Sequence, residues 1–325
     1  MLRRKRFHLK LRSRMLLLGE RTLIMGVLNV TPDSFSDGGL YVDPERAIEH
    51  GVEMARQGAD WIDVGGESTR PGSKPVTAEE ELRRVLPVIR GMHKRLRALP
   101  ISIDTTKAEV AEQAARAGAS IINDISGLRF DPRLAEVARR HRAALILMHI
   151  RGHPETMQHE PFAKSVWRSL GRGLNRSVRH ALSSGLRRSQ LIIDPGLGFG
   201  KTRRQNFEIV ARLHRLRRFG LPILLGASRK SFVQAIVAGE ELQPGHRRSG
   251  PPPPVTPIWP LTVDSGLVPA SQTRQPAATL RLEVGDAAML TAAILEGVHI
   301  VRVHDVEAAL PGVRIADALL AARAD

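Results

Sequence analysis

The sequence predicts an α/β chain folded as a (β/α)8 TIM barrel. Three observations predict it. Short apolar runs alternate with amphipathic stretches from residue 22 onward. Each run is nearly continuous rather than alternating, as parallel strands buried on both faces require. The unit recurs eight times with no sign of a reversal, which favours a closed barrel over an open doubly wound sheet.

In chain order, the basic extension before residue 22, MLRRKRFHLKLRSRMLLLGE, carries an apolar run, Met15–Leu18, too short for a signal-peptide core. It is expected to cover the bottom of the barrel. The strands follow at TLIMGVLN (22–29), WIDVGG (61–66), ISIDTT (101–106), SIINDIS (120–126), ALILMHI (144–150), LIIDPG (191–196), ILLGAS (223–228) and HIVRVHD (299–305). Between them, Thr77 with Glu80 reads as a capping box, and Asp131 before Pro132 as an N-cap with proline at the first helical position. Residues 241–280 break the rhythm. They hold nine of the chain's 21 prolines, including Pro251–Pro254, a composition that excludes a core helix. They read as an extended, largely disordered insertion between strands seven and eight. The single domain, 1–325, then has its barrel core at 20–240 and 281–322.

Composition narrows the function. A chain of 325 residues, 42% of them hydrophobic, can bury one large core. The absence of cysteine excludes disulfides, thiol chemistry and cysteine-metal sites. No apolar run approaches the ~20 residues of a membrane span, so no membrane partner and a cytoplasmic location are expected. The net charge is +16, yet the arginines are scattered and aromatics make up only 4%, too few for base-stacking platforms. No nucleic-acid partner is expected. A small anionic substrate would be steered by such a field.

The strand ends carry the chemistry. In order they present Asn29, Asp63, Asp104, Asn123 with Asp124, His149, Asp194, Ser228 with Lys230, and Arg302 with His304. Any one of these could merely cap the next helix, and Asp124 and Asp305 suit that role. Eight strand ends together describe a ring around one mouth, where barrels place their active sites. Asp104, Asn123 and Asp194 suit a planar heterocycle with several N–H groups. Arg70, Lys230, Arg302 and His304 suit phosphate or carboxylate. The loop after Asp63, GGESTRPG, reads as a lid hinged at Gly65 and Gly66. GLGFGKT, 196–202, imitates a phosphate loop, but Pro195 stands where that pattern needs glycine. HIRGH lacks a third ligand at metal spacing.

On MGVLNVTPDSFSDGG, DVGGESTRPG, ISIDTTKAEVA, IINDISG, MHIRGHPETMQ, IIDPGLGFGK, GASRKSF and VRVHDV, the chain resembles the dihydropteroate synthases, folate-pathway transferases of the pterin-binding barrel superfamily. The resemblance implies condensation of p-aminobenzoate with 6-hydroxymethyl-7,8-dihydropterin diphosphate and release of pyrophosphate, in a family targeted by sulfonamides. It implies that Asp104, Asn123, Asp194 and Lys230 hold the pterin, with Asp63 supporting them from behind. It further implies Mg2+ at Asn29, and the diphosphate at Asn29, Arg70, Arg302 and His304. Thr69, Arg70, Pro71, Phe35, Gly198, Phe199 and Ser231 match the surroundings of p-aminobenzoate. Asp104, Asp194, Lys230 and Arg302 form the implied catalytic set, and a homodimer through the helix pair SRKSFVQAIVAGE and LEVGDAAMLTAAILEGV is implied as well. Methyltetrahydrofolate-dependent methyltransferases share the Asp/Asn ring but lack the two polar loops. A non-catalytic paralogue would be expected to lose Asn29, Lys230 or Arg302, and all three are present.

Overall fold

The structure, a computed structural model, describes residues 4–12, 14–31, 43–68, 72–73, 75–157, 162–240, 242 and 274–323. The chain opens with a hairpin in which β1 (Phe7–Leu11) and β2 (Arg14–Leu18) pair antiparallel. Eight parallel strands follow: β3 (Leu23–Asn29), β4 (Trp61–Gly65), β5 (Ile101–Asp104), β6 (Ile121–Asp124), β7 (Ala144–Met148), β8 (Leu191–Asp194), β9 (Leu224–Gly226) and β10 (Ile300–Val303). Each lies within the apolar run that predicts it. Their order is β8-β7-β6-β5-β4-β3-β10-β9, and a parallel bridge between Ile193 and Ile223 joins the two ends. The sheet is therefore a barrel rather than an open layer.

Helices pack around it: α1 (Pro44–Arg56), α2 (Ala78–Arg95), α3 (Ala108–Ala117), α4 (Leu134–His141), α5 (Val166–Ser183), α6 (Arg203–Ala211), α7 (Ser231–Val237), α8 (Arg274–Leu295) and α9 (Val306–Ala322). Outward strand residues such as Ile62, Val64, Ile103 and Leu145 join the helix faces in the main core. Inward residues form a second cluster of Met25, Trp61, Ile121, Ile146, Ile192 and Ile300. Leu9, Leu11 and Leu18 of the hairpin close that cluster from below. The extension thus covers the barrel floor, as expected. Arg4 fastens it, donating to Thr22 Oγ1 at 2.6 Å, Val298 O at 3.1 Å and Asp317 Oδ1 at 2.7 Å.

Two local expectations need correction, and a third is incomplete. Asp131 Oδ1 accepts from Arg133 N at 3.1 Å, as the N-cap reading expects, although the regular turns of α4 start only at Leu134. The other Asp131 oxygen, Oδ2, accepts from Ala108 N at 2.9 Å and so also serves α3, whose own N-cap, Lys107, makes no side-chain cap bond. At α2, Thr77 Oγ1 accepts from Glu80 N at 3.2 Å, but the Glu80 carboxylate turns to Arg83 and Arg84, so only half of the capping box forms. Finally, α8 already begins at Arg274, so the proline-rich insertion ends at 273 rather than 280. Its residues 241 and 243–273 lie outside the described residues.

Candidate active site

Side chains two apart on a strand share a face. Asp63, Asn123, Asp194 and Arg302 each stand two residues beyond a member of the floor cluster, at Trp61, Ile121, Ile192 and Ile300. They point into the barrel directly above that floor. Asp104 joins them, opposite Asn123 in the β5–β6 pairing. The apolar floor excludes water from below and makes every charge above it costly to leave unpaired.

Arg302 is the hub. Its Nε donates to Asp63 Oδ2 at 2.7 Å and its Nη2 to Asp104 Oδ2 at 2.7 Å. The same Asp63 oxygen accepts from Asn123 Nδ2 at 2.9 Å. Asp63 is 0% exposed, so it braces the others rather than facing the mouth. Asp194 Oδ1 accepts from Gly196 N at 2.6 Å. The Lys230 ammonium lies 4.6 Å from the centre of the Phe199 ring.

Burial sets the titration of this ring. It raises the Asp104 carboxyl far above the carboxylate range, against the pull of Arg302 and with help from Asp63. It raises Asp194 to about 6, opposed by the Gly196 N–H and by Lys230. It lowers Lys230 to about 8, and Arg302 adds to that fall. Burial also works against the Arg302 cation, but Asp63 and Asp104 outweigh it and hold the guanidinium charged. Groups poised near neutrality in one cleft mark a site built for chemistry.

Not every strand-end residue joins the ring. His149 and Asp124 each follow an inward residue by one position and therefore point outward. His149 Nε2 pairs with Ser169 Oγ of α5 at 3.1 Å. Asp124 closes a tight turn through Ser126 N and Leu128 N. Ser228 bonds to Asp286 of α8. Phe199, expected as a loop ring over the benzoate, is only 9% exposed and packs with Ile125, Met148, Ile150 and Met157. Gly198 lies beside Lys230, and Ser231 is exposed at the start of α7. That helix begins at Ser231, two residues after Arg229, which takes a left-handed φ of 55° and gives its N–H to Asp286 at 2.8 Å. Asn29 approaches the ring near Gly65 and Asp104, and the partly buried His304 directly follows β10. Phe35, Thr69, Arg70 and Pro71 lie outside the described residues.

Residues 25–251 match the family described as pterin binding enzyme. Over 301 residues the chain is 41% identical to the dihydropteroate synthase of a Synechocystis species, covering 93% of this chain and 91% of that one. The chain belongs to the dihydropteroate synthase family. Among solved structures, the Yersinia pestis dihydropteroate synthase with a sulfonamide drug complex matches it with a TM-score of 0.78 at 35% identity, over 97% of this chain and all of that one. The Xanthomonas albilineans dihydropteroate synthase in complex with 7,8-dihydropteroate matches with a TM-score of 0.74 at 33% identity, over 96% and 99% of the two chains.

In this dihydropteroate synthase family member, sequence reasoning misses Lys201. Its buried ammonium donates to His149 O at 3.1 Å, Gly196 O at 2.7 Å and Phe199 O at 3.0 Å. GLGFGKT therefore gathers carbonyls around a cation of its own, the reverse of a phosphate loop. The available signal was a lysine following three glycines, Gly196, Gly198 and Gly200, all at positive φ. The stem of GGESTRPG is braced too. Lys107 bridges Glu67 and the buried Glu81, and Arg84 Nη1 donates to Gly66 O at 2.8 Å. A Cβ on Gly66 would stand 2.7 Å from Val85 Cγ1, so close packing against α2 demands the glycine.

Proposed function

We propose that this chain joins p-aminobenzoate to 6-hydroxymethyl-7,8-dihydropterin diphosphate, losing pyrophosphate before the amine attacks. The buried constellation of Asp104, Asn123, Asp194 and Lys230 around Arg302 carries the reading. Carboxylates accept hydrogen bonds, an amide does both, and together they match the N–H-rich edge of a pterin. As the C–O bond breaks, its electron pair leaves with pyrophosphate, and the positive charge at the pterin methylene spreads into the ring. Asp104, whose carboxyl pKa burial raises, holds the ring by hydrogen bonding, and Asp194 favours that charge electrostatically. The arylamine then gives its lone pair to the methylene carbon, and its proton passes to water. A weakly basic arylamine needs no strong general base beforehand.

Arg302 spends Nε and Nη2 on the two carboxylates and keeps Nη1 for the leaving diphosphate, with His304 and Arg70 as further cationic partners. Asn29 would hold Mg2+. It offers a single amide oxygen, and no cluster of three acidic or histidine ligands exists among the described residues. That fits an ion which keeps its waters and binds substrate phosphates rather than entering a protein cage. When bound, Mg2+ would neutralise diphosphate charge. The burial of Phe199 beneath Lys230 supports a role as a wall of the pterin pocket. The benzoate is then left to Gly198 and Ser231 with Phe35, Thr69, Arg70 and Pro71, whose loops would shield the cation from water.

Ile236 on α7 and Leu280 and Val284 on α8 are exposed, which supports a homodimer through that expected pair, and Ile315 and Leu319 extend the apolar surface onto α9. Among the described residues no helix is long and apolar enough to cross a membrane, and a cytoplasmic location belongs to the same reading. A coupled assay for pyrophosphate with both substrates tests the function. Turnover should require both, and Asp104→Ala and Arg302→Ala should abolish it. Parent-like release from either variant would overturn the assignment.

A further inference from the structure

Beside the mouth, between the ends of β6 and β7 and the flank of α5, lies a basin of about 1030 Å3. Arg129, Arg151, Lys164, Arg168, Arg172 and Arg176 line it, and among the described residues no carboxylate does. Arg168, Arg172 and Arg176 recur every four residues and so share one face of α5, in a row about 12 Å long.

A basic composition does not account for this. Some arginines elsewhere pair with acids, as Arg21 does with Asp60 and Arg140 with Glu112, and others have no acid partner among the described residues. Here six cations converge on one concavity that no carboxylate among the described residues lines. Lys164, Arg168, Arg172 and Arg176 have no ion pair among the described residues. Among the described residues the Arg129 guanidinium donates only to the carbonyls of Ile150 and Gly152. Burial and the nearby Arg176 both press the Arg129 pKa down, as in a cluster that lacks its counter-charge. On the inner wall His149 is 8% exposed, and its Nδ1 has no hydrogen-bond partner among the described residues.

We propose that this basin binds an oligophosphate, a linear chain of phosphate groups either free or borne by a nucleotide. Guanidinium forks match phosphate oxygens two at a time. One phosphate would occupy one or two of them, whereas a row of three flanked by Arg129 and Lys164 takes several anionic groups at once. The basin has the size of a small-molecule site, not of a duplex groove. Phe162 is its one phenyl ring, which is no stacking platform for a run of bases. The basin is distinct from the ring that Arg302 organises, because none of Asp63, Asp104, Asn123, Asp194, Lys230 and Arg302 lines it.

The test is calorimetric titration of the full chain with sodium tripolyphosphate and, separately, with ATP. Saturable binding should weaken as salt rises and fall at least about tenfold in R168S/R172S/R176S, as expected when phosphate contacts are removed. The three positions are exposed on a helix, so turnover in the pyrophosphate assay should remain that of the parent. R172Q alone should weaken binding about threefold and gives a second reading should the triple variant misfold. ATP binding tighter than tripolyphosphate assigns a nucleotide, and equal or weaker binding assigns a free chain. The proposal fails if nothing saturates at millimolar ligand. It also fails if R302A abolishes binding while the triple variant retains it, or if duplex DNA displaces tripolyphosphate at lower concentration.

Discussion

Arg302 donates its Nη2 to Asp104 Oδ2 at 2.7 Å, so the cation expected to face the diphosphate is anchored among the residues expected to read the heterocycle. The two halves of the site are one electrostatic unit. Arg302→Lys tests this. A lysine keeps the charge but not the planar fork that reaches Asp63 and Asp104 together. Loss of that positioned donor should lower kcat/KM about a hundredfold in the pyrophosphate assay. Near-parent activity would show that charge alone suffices.

Asp194→Asn should trade activity for stability. The folded carboxyl titrates at about 6, against 3.8 for the free group. Between those values the unfolded chain has lost the proton and the folded chain retains it, so stability falls as pH rises across that window. The amide removes the cost. The variant should be up to about 3 kcal/mol more stable at pH 7 and converge with the parent at acid pH, by urea denaturation. Its turnover should be lost, because the pterin then meets a neutral amide. Equal stability at both pH values would contradict the burial argument.

Lys201→Met should loosen the loop that carries Phe199. Burial draws the lysine down to about 7, while Asp194 and three carbonyl acceptors favour the ammonium. Removing the donor strands those carbonyls and should cost at least about 2 kcal/mol. A raised KM for the pterin diphosphate should accompany it, with partial rescue by Lys201→Arg. Unfolding midpoints and steady-state kinetics separate the two effects.

Gly66→Ala places its Cβ against Val85 and Glu81. Overpacking of that kind costs about 1–3 kcal/mol, read as a lowered melting temperature. Unchanged melting with lost turnover would make Gly66 a hinge instead.

Leu18→Ala hollows the barrel floor, where Leu18 is 0% exposed. A loss of about 2–5 kcal/mol is expected from thermal or urea unfolding. Turnover at low temperature should be preserved, because the ring sits a layer above.

All eight strands were legible because a parallel strand buried on both faces has to be apolar along its length, and polar residues ending such runs stand out. What failed was facing. His149 looked like a member of the ring, yet it follows an inward neighbour by one residue, and the strand period alone turns it out, whereas Asp124 serves backbone N–H groups as a capping role would have it. The second role of Asp131 was hidden because its partner, Ala108, belongs to the preceding β/α unit. Lys201 was hidden for a similar reason, since its three carbonyls come from the loops after two different strands. Contacts between units leave no local spacing to read.

Arg4 and Asp317 are 313 residues apart in the chain and 2.7 Å apart in space, and the hairpin beside Arg4 seals a floor to which Ile300 contributes. Contacts of such long range form late, after most of the chain has been synthesised. Until β10 is in place, Leu9, Leu11 and Leu18 have no completed surface to cover. A chain cut short before β10 therefore carries an apolar hairpin with nowhere to dock, a flag by which chaperones and proteases can tell an unfinished barrel from a finished one.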